Sequence, residues 1–273
     1  MADDVLIETH DGVAKITLNR PESLNAMGGA LMPMLAQYLS DVSSDRSVRC
    51  VVLTGAGRAF CAGGDVKGMA AGRDILTTNG SAAAETSAAA ALAAGVQGLR
   101  ASQRATSLVL HTMPKPTIAM VNGHAVGAGL SLALACDIRV ASENAKLGTI
   151  FRNVGFSGDF GGSYFLQKLV GTGKARELYF TGEVLSAADA MAIGMVNRVV
   201  PHERLEVDDG TGRATRERPD AGVRAHEGKP EPRRRLRPAD PARSGSAQHV
   251  ALRSDHRPPR GGEGVRREAR ADV

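Results

Sequence analysis

The sequence predicts an α/β fold in which strands and helices alternate along the chain. Two apolar runs rich in β-branched residues, 51–53 and 117–121, are each followed by a glycine-rich turn and then by a helical pattern. We refer to residues 60–65 as the first turn and to residues 123–129 as the second turn. Repetition of strand, turn and helix is typical of stacked βα units on a shared sheet.

The first half of the chain begins with a predicted β-hairpin. Residues 5–7 and 13–18 are apolar or alternate with polar residues around Asp11 and Gly12, which favour a tight turn. A helix is expected over 30–39, and the nearly continuous apolar run 48–54 predicts a strand buried on both faces, as in parallel sheets. Residues 72–98, rich in small residues, predict a mobile loop that merges into a helix over 99–111.

The second half continues the alternation after the second turn. Residues 130–136 predict a buried helix, 138–141 a short strand, and 164–170 and 175–180 two helices. Ser186, with Asp189 three residues later, predicts a capping box that begins a helix over 187–193. Gly194 is expected to end that helix.

The basic charge of the chain is confined to its last part. The net charge is +5, yet residues 207–273 contain 16 Lys and Arg against 11 Asp and Glu, which leaves 18 of each kind before them. A formally neutral body argues against a nucleic-acid partner.

No apolar run is long enough to span a membrane, and the first 20 residues lack a basic start and an apolar core. We therefore expect a cytoplasmic protein without a membrane partner.

The three cysteines do not point to a disulfide framework or to a metal. Cys50, Cys61 and Cys136 stand at unrelated spacings without a CxxC pair. Buried free thiols are the simplest interpretation, and we expect no metal site.

The two glycine turns are the main candidates for chemistry. A turn between a strand and a helix presents backbone N–H groups, and two such turns facing each other would form an oxyanion hole. Losing one donor of such a hole typically costs about 3 kcal/mol of transition-state stabilisation. The alternative is that the glycines only permit tight turns or close packing.

Six short motifs in order along residues 5–205 resemble the crotonase (enoyl-CoA hydratase/isomerase) superfamily. They are Asn19-Arg20-Pro21-Glu22, Asn25-Ala26-Met27, Ala62-Gly63-Gly64-Asp65, Val121-Asn122-Gly123 with Cys136-Asp137, Thr181-Gly182, and Gly194-Met195-Val196-Asn197. The resemblance implies a ββα-spiral core and an acyl-CoA thioester substrate. It implies no separate cofactor, since coenzyme A is part of the substrate, and it implies a homotrimer or a hexamer built from two trimers.

The resemblance also implies roles for individual residues. The backbone amides of Ala62 and Ala128 would hold the thioester oxygen. The adenine end of coenzyme A would lie near Leu24, Ala26, Ala62, Asp65 and Val66. The remaining residues expected at the substrate are Gly63, Gly64, Gly127, Ser131, Phe151 and Phe156.

The sequence lacks the two glutamates that the resemblance implies for a hydratase, because those positions align with Ser131 and Phe151. Neither residue can transfer a proton as a carboxylate does. Asp159 follows, in an apolar and glycine-rich segment where burial would raise the pKa of its carboxyl group. The alternative role for Asp159 is a helix N-cap.

Family members with an aspartate at this point resemble isomerases of phenylacetyl-CoA derivatives or of 3-enoyl-CoA, and also a dehalogenase. We therefore expect an acyl-CoA isomerase with Asp159 as its acid/base group. The alternatives are an enoyl-CoA hydratase of fatty-acid β-oxidation and an inactive acyl-CoA-binding pseudoenzyme.

Residues 207–273 differ in character from residues 1–206, which we predict to be the acyl-CoA-binding catalytic core. They contain no Ile, Phe, Tyr or Trp, but 15 Arg and seven of the twelve prolines. This composition predicts a disordered basic tail.

Read one base later, degenerate codons for 226–231 permit Met-Lys-Glu-Asn-Leu, and those for 262–272 permit Ala-Lys-Ala-Phe-Val-Glu-Lys-Arg-Glu-Pro-Thr. Both resemble the C-terminal crotonase helices, which cover the acyl pocket and build the trimer, so we predict a frameshift near residue 206.

Overall fold

The computed structural model describes residues 3–65 and 88–205, and these contain two β-sheets and six α-helices. The strands are β1 (Val5–His10), β2 (Val13–Leu18), β3 (Cys50–Gly55), β4 (Ala59–Cys61), β5 (Thr117–Val121), β6 (His124–Val126), β7 (Ile138–Ser142), β8 (Lys146–Gly148), β9 (Val184–Ser186) and β10 (Arg198–Val200). The helices are α1 (Leu31–Ser44), α2 (Ala88–Ala105), α3 (Ser107–Thr112), α4 (Ala128–Ala135), α5 (Gly162–Thr181) and α6 (Ala187–Ala192).

The larger sheet has the strand order β1-β2-β3-β5-β7-β10. Strands β1 and β2 form the predicted antiparallel hairpin, and the pairs from β2 to β10 are parallel. All six residues of β3 are buried, with Val51 and Leu53 in the main core and Cys50 and Val52 in a second apolar cluster. This division explains the continuous apolar run, because both faces of the strand must be apolar.

The smaller sheet, with the order β4-β6-β8-β9, was not predicted. Each of its strands has three residues, which is too short for a recognisable alternation of apolar and polar positions. Strands β4 and β6 are parallel neighbours; β4 includes the start of the first turn, and β6 lies within the second turn. The sheet therefore brings the two turns to the same edge.

One helix differs from the prediction. The helix expected over 99–111 is divided into α2 and α3 at Thr106, which has the non-helical angles φ −123° and ψ −83°. The two helices expected over 164–170 and 175–180 are confirmed, since α5 is interrupted between them at Gly171, whose angles φ +79° and ψ +161° are not helical. The predicted N-cap at Ser186 is confirmed, since its hydroxyl accepts a hydrogen bond of 3.2 Å from the amide of Asp189. The Asp189 carboxylate accepts from the Ser186 hydroxyl at 2.6 Å, whereas the reciprocal bond of a capping box would come from the Ser186 amide.

Several predictions lie outside the described residues. These are the loop over 72–87, the role of Val66 and the character of residues 207–273; residues 88–98 belong to α2. Among residues 3–65 and 88–205, no helix is long and apolar enough to cross a membrane. The same residues contain no group of three or more His, Cys, Asp or Glu side chains placed to hold a metal ion.

Candidate active site

The two glycine turns pack directly against each other. A Cβ atom added to Gly63 would lie 3.3 Å from the amide nitrogen of Ala128. A Cβ added to Gly129 would overlap the carbonyl oxygen of Cys61. The glycines thus permit the close approach of two backbones, and that approach brings the backbone amides of both turns together.

The last two residues of the second turn, Ala128 and Gly129, are the first two residues of α4. Gly127 has a positive φ of +55° and stands at the N-cap of the helix, followed by Ala128. The first amides of a helix have no partner within the helix and carry its positive dipole end. The amide of Ala128 is therefore suited to bind an anionic oxygen.

The first turn corrects one prediction. The amide of Ala62 donates a hydrogen bond of 3.0 Å to the carbonyl oxygen of Leu24, so it is already used within the fold. Next to it, the amide of Met27 donates to the carbonyl oxygen of Gly63 at 2.8 Å. Among the described residues, no hydrogen bond uses the amide of Gly64. The donor that this turn leaves available is thus Gly64 and not Ala62.

Both turns line one cavity of about 350 Å³. Its remaining walls come from α1, α2 and the segment 150–160, and most of its lining is apolar. The lining residues are Met27, Met32, Ala62, Gly63, Gly64, Leu99, Ser102, Gly127, Ala128, Ile150, Phe151, Asn153, Val154, Phe156, Ser157, Gly158, Asp159 and Phe160.

Asp159 is the only ionisable side chain among the described residues that line this cavity. Its Oδ1 atom is buried and has no hydrogen-bond partner within the described part of the chain. Burial raises the pKa of this carboxyl group from 3.8 to about 6, because a charged carboxylate loses its hydration there. A carboxyl group with this pKa can exchange a proton near neutral pH.

The alternative role of Asp159 as a helix N-cap is wrong. The N-cap of α5 is Gly161, and it receives no side-chain cap. Only the main-chain carbonyl of Asp159 contributes there, accepting a hydrogen bond of 3.0 Å from the amide of Gly162. Positive φ angles at Gly158, Phe160 and Gly161 shape the turn, and the angle of +47° at Phe160 is unusual for a non-glycine residue. Within the described part of the chain, the Asp159 side chain therefore does not cap α5, and its Oδ1 atom makes no hydrogen bond.

Two aromatic side chains, Phe151 and Tyr179, stack near Asp159. The rings of Phe151 and Tyr179 are parallel, with centroids 6.0 Å apart. Burial, followed by the negative charge of Asp159, raises the pKa of the Tyr179 phenol. A Cβ on Gly158 would lie 2.9 Å from the Tyr179 ring, so the backbone next to Asp159 packs directly against this side chain.

Not all predicted substrate residues reach the cavity. Ser131 is 1% exposed, and its hydroxyl donates to the carbonyl oxygen of Gly127 at 3.3 Å, so this side chain lies inside the fold. Leu24 and Ala26 lie beside the first turn without lining the cavity. By contrast, Phe151 and the 53% exposed Phe156 line it.

The cysteines are structural. All three are free and buried, and burial raises the pKa of the Cys61 and Cys136 thiols to about 12. A thiol with such a pKa is not a nucleophile near neutral pH.

The apolar wall of the cavity could not be predicted from the sequence. Met27 lies in one of the recognised motifs, but its side chain was given no role. Leu99 and Ser102 are three residues apart on α2, a spacing that places both on one helix face. That spacing alone does not show which surface the face meets.

Comparisons of the sequence and of the structure with known proteins agree on one family. The sequence model of the family described as "Enoyl-CoA hydratase/isomerase" matches residues 8–210. The short-chain-enoyl-CoA hydratase of Clostridium acetobutylicum is 35% identical over 204 residues, which cover 74% of this chain and 71% of that protein. The 1,2-epoxyphenylacetyl-CoA isomerase of Escherichia coli is 37% identical over 207 residues, covering 75% and 72%. The crystal structure of an enoyl-CoA hydratase from Bacillus anthracis superimposes with a TM-score of 0.66 at 32% identity, covering 79% of this chain and 77% of that one. The chain therefore belongs to the enoyl-CoA hydratase/isomerase family of the crotonase superfamily.

Proposed function

We propose that this chain is an acyl-CoA isomerase that shifts a double bond or rearranges an unsaturated or aryl acyl-CoA thioester. The observation that carries the proposal is the position of Asp159. It is the single ionisable side chain among the described lining residues of the cavity that both glycine turns share.

The chemistry requires one proton to leave one carbon and return to another. The Asp159 carboxylate removes a proton from the acyl chain, and the electron pair moves onto the thioester oxygen to form an enolate. The amides of Gly64 and Ala128 stabilise that oxygen. The carboxyl group then gives the proton to a different carbon while the carbonyl reforms, so the product is an isomer and no water is consumed.

Hydration is the main competing function, since the C. acetobutylicum relative is named a hydratase. Adding water requires a base for the water and an acid for the carbon. Neither Ser131 nor Phe151 supplies a carboxylate, and Ser131 does not line the cavity. These two positions favour proton transfer over hydration.

A panel of 2-enoyl-, 3-enoyl- and arylacetyl-CoA thioesters tests the proposal. We expect double-bond migration or rearrangement, with deuterium from heavy water entering the acyl chain. Formation of a hydroxyacyl-CoA product as the main reaction would instead establish a hydratase. Binding of coenzyme A thioesters without turnover of any would establish an inactive binder.

For residues 207–273 we propose a frameshift near residue 206, either natural or introduced in sequencing. The family match ends at residue 210, close to that point. A packed C-terminal region needs large apolar residues such as Phe and Leu. Residues 207–273 contain no Phe and few Leu, whereas the alternative frame supplies both. Sequencing the DNA across this point tests the proposal. Codons that, read one base later, do not encode the predicted C-terminal helices would refute it. The mass of the C-terminal peptide from the natural host then distinguishes a natural frameshift, which yields residues 207–273, from a sequencing error, which does not.

The assembly and location of the protein follow from the same reasoning. We propose a homotrimer or hexamer for the protein with the restored C-terminal helices, in the cytoplasm. Light scattering of the restored chain measures its mass, and a monomer would contradict the proposed assembly.

A further inference from the structure

Two buried asparagines hold the segment that joins β3 to β4. Asn25 is fully buried, and its side-chain amide donates to the carbonyl oxygens of Ala56 at 2.9 Å and Ala59 at 2.7 Å. Its Oδ1 atom accepts a hydrogen bond of 2.8 Å from the amide of Arg20. All of the hydrogen-bonding atoms of this side chain are therefore engaged with backbone.

Asn122 reaches the same segment from the other side. Its side-chain amide donates to the carbonyl oxygens of Gly57 at 2.8 Å and Ala59 at 3.3 Å. Its Oδ1 atom accepts from the amide of Gly55 at 3.3 Å. The carbonyl oxygen of Ala59 is thus a shared acceptor for both asparagines.

The shared acceptor belongs to the strand pair that carries both glycine turns. Ala59 is the first residue of β4, whose other two residues begin the first turn, and it pairs with His124 of β6, which lies within the second turn. Met27, two residues after Asn25, donates from its amide to the carbonyl oxygen of Gly63 in the first turn. Asn122 directly precedes the second turn, so each asparagine lies next to one of the turns in the chain.

We propose that Asn25 and Asn122 act together as positioning residues that set the separation of the two oxyanion-binding turns through the carbonyl oxygen of Ala59. Neither side chain lines the cavity, so they act on the thioester through the backbone amides of Gly64 and Ala128. The inference rests on the proposed function, because it assigns these amides to the thioester oxygen.

The geometry explains why asparagine is required at both positions. Each site needs two donors and one acceptor on a short planar group, and the side-chain amide of asparagine supplies them. An aspartate of the same shape would place oxygen against two carbonyl oxygens, and an alanine would leave buried backbone groups without partners. Either change would release the segment 55–59.

The experiment compares Asn25→Ala, Asn122→Ala and the double variant with wild type, and uses Asn19→Ala as the control. The side-chain amide of Asn19 donates to the carbonyl oxygen of Asp3 at 2.9 Å in an exposed contact. The readouts are kcat, KM and the infrared carbonyl stretch of a bound, isotope-labelled acyl-CoA thioester, which a working oxyanion hole shifts to lower frequency. Asn122→Ser retains a short donor and serves as a rescue variant if an alanine variant does not fold.

We expect kcat to fall about 10²-fold in each single variant, because misplacement of an oxyanion donor has an effect of this size. KM should stay within about a factor of three, since the cavity walls remain. The carbonyl shift should decrease in both single variants, Asn122→Ser should recover part of it, and the double variant should lose little more than either single variant.

Folded variants that retain the wild-type carbonyl shift and kcat would overturn the inference while leaving the proposed function intact. Additive losses in the double variant would also overturn it, because independent residues add. A wild-type protein that leaves the carbonyl stretch unshifted would overturn the proposed function itself, and the inference with it.

Discussion

Replacing Asp159 by asparagine separates catalysis from stability, because the carboxyl group serves the first and opposes the second. The asparagine side chain would keep the size and shape of the aspartate but could not accept a proton. General acid–base groups contribute about 10²- to 10⁴-fold to rate. We therefore expect kcat of Asp159→Asn to fall at least about 10²-fold, with KM nearly unchanged because the apolar cavity wall is retained.

The stability of the same variant should increase near neutral pH. Burial raises the pKa of Asp159 from 3.8 to about 6, so the folded protein holds this proton more tightly than the unfolded chain does. The wild-type free energy of unfolding should accordingly decrease as pH rises from about 4 to about 6. A shift of this size corresponds to about 3 kcal/mol, and partial solvent screening reduces it to about 2 kcal/mol.

Urea denaturation of both proteins at about pH 4 and about pH 8 measures this difference. We expect Asp159→Asn to be more stable by about 2 kcal/mol at the higher pH and similar to wild type at the lower pH. The control is Asp41→Asn, on the exposed face of α1. An active Asp159→Asn variant would remove the residue from the mechanism, and equal stabilities at both pH values would show that its charge is not buried.

Four further predictions concern the site and its framework. The kcat/KM of the wild type should fall as pH decreases through about 6, since Asp159 must be ionised to act as a base; a profile that is flat from about pH 5 to 8 would contradict this. Gly63→Ala should lower kcat by about 10²-fold, because its Cβ would press on the amide of Ala128 at 3.3 Å and φ is +87°; steady-state kinetics with unchanged kcat would refute the close packing of the turns. Ser131→Ala should change kcat/KM by less than about twofold, since its hydroxyl bonds within its own helix; a larger loss would return this residue to the substrate site. Ser186→Ala should lower the free energy of unfolding by about 1 kcal/mol in urea titrations, through loss of the N-cap of α6; unchanged stability would show that the capping bond contributes nothing.

Local patterns explain which elements could be predicted. Three correctly predicted features depend on residues that are close together in the chain. They are the hairpin around Asp11 and Gly12, the buried strand β3 and the N-cap at Ser186. The strands of the smaller sheet could not be predicted, because three residues do not establish a period. The division between α2 and α3 at Thr106 also lacked a signal, since no proline or glycine stands there.

The sequence alone determined the family, the two glycine turns and Asp159 as the acid/base candidate, because motif order and residue type are properties of the linear chain. Only the tertiary structure decided which backbone amide remains available and which side chains line the cavity. The amide of Ala62 is taken by Leu24, and Ser131 is turned into the fold. Hydrogen-bond partners of this kind come from distant parts of the chain, and burial sets the pKa of Asp159 only after those parts have packed together.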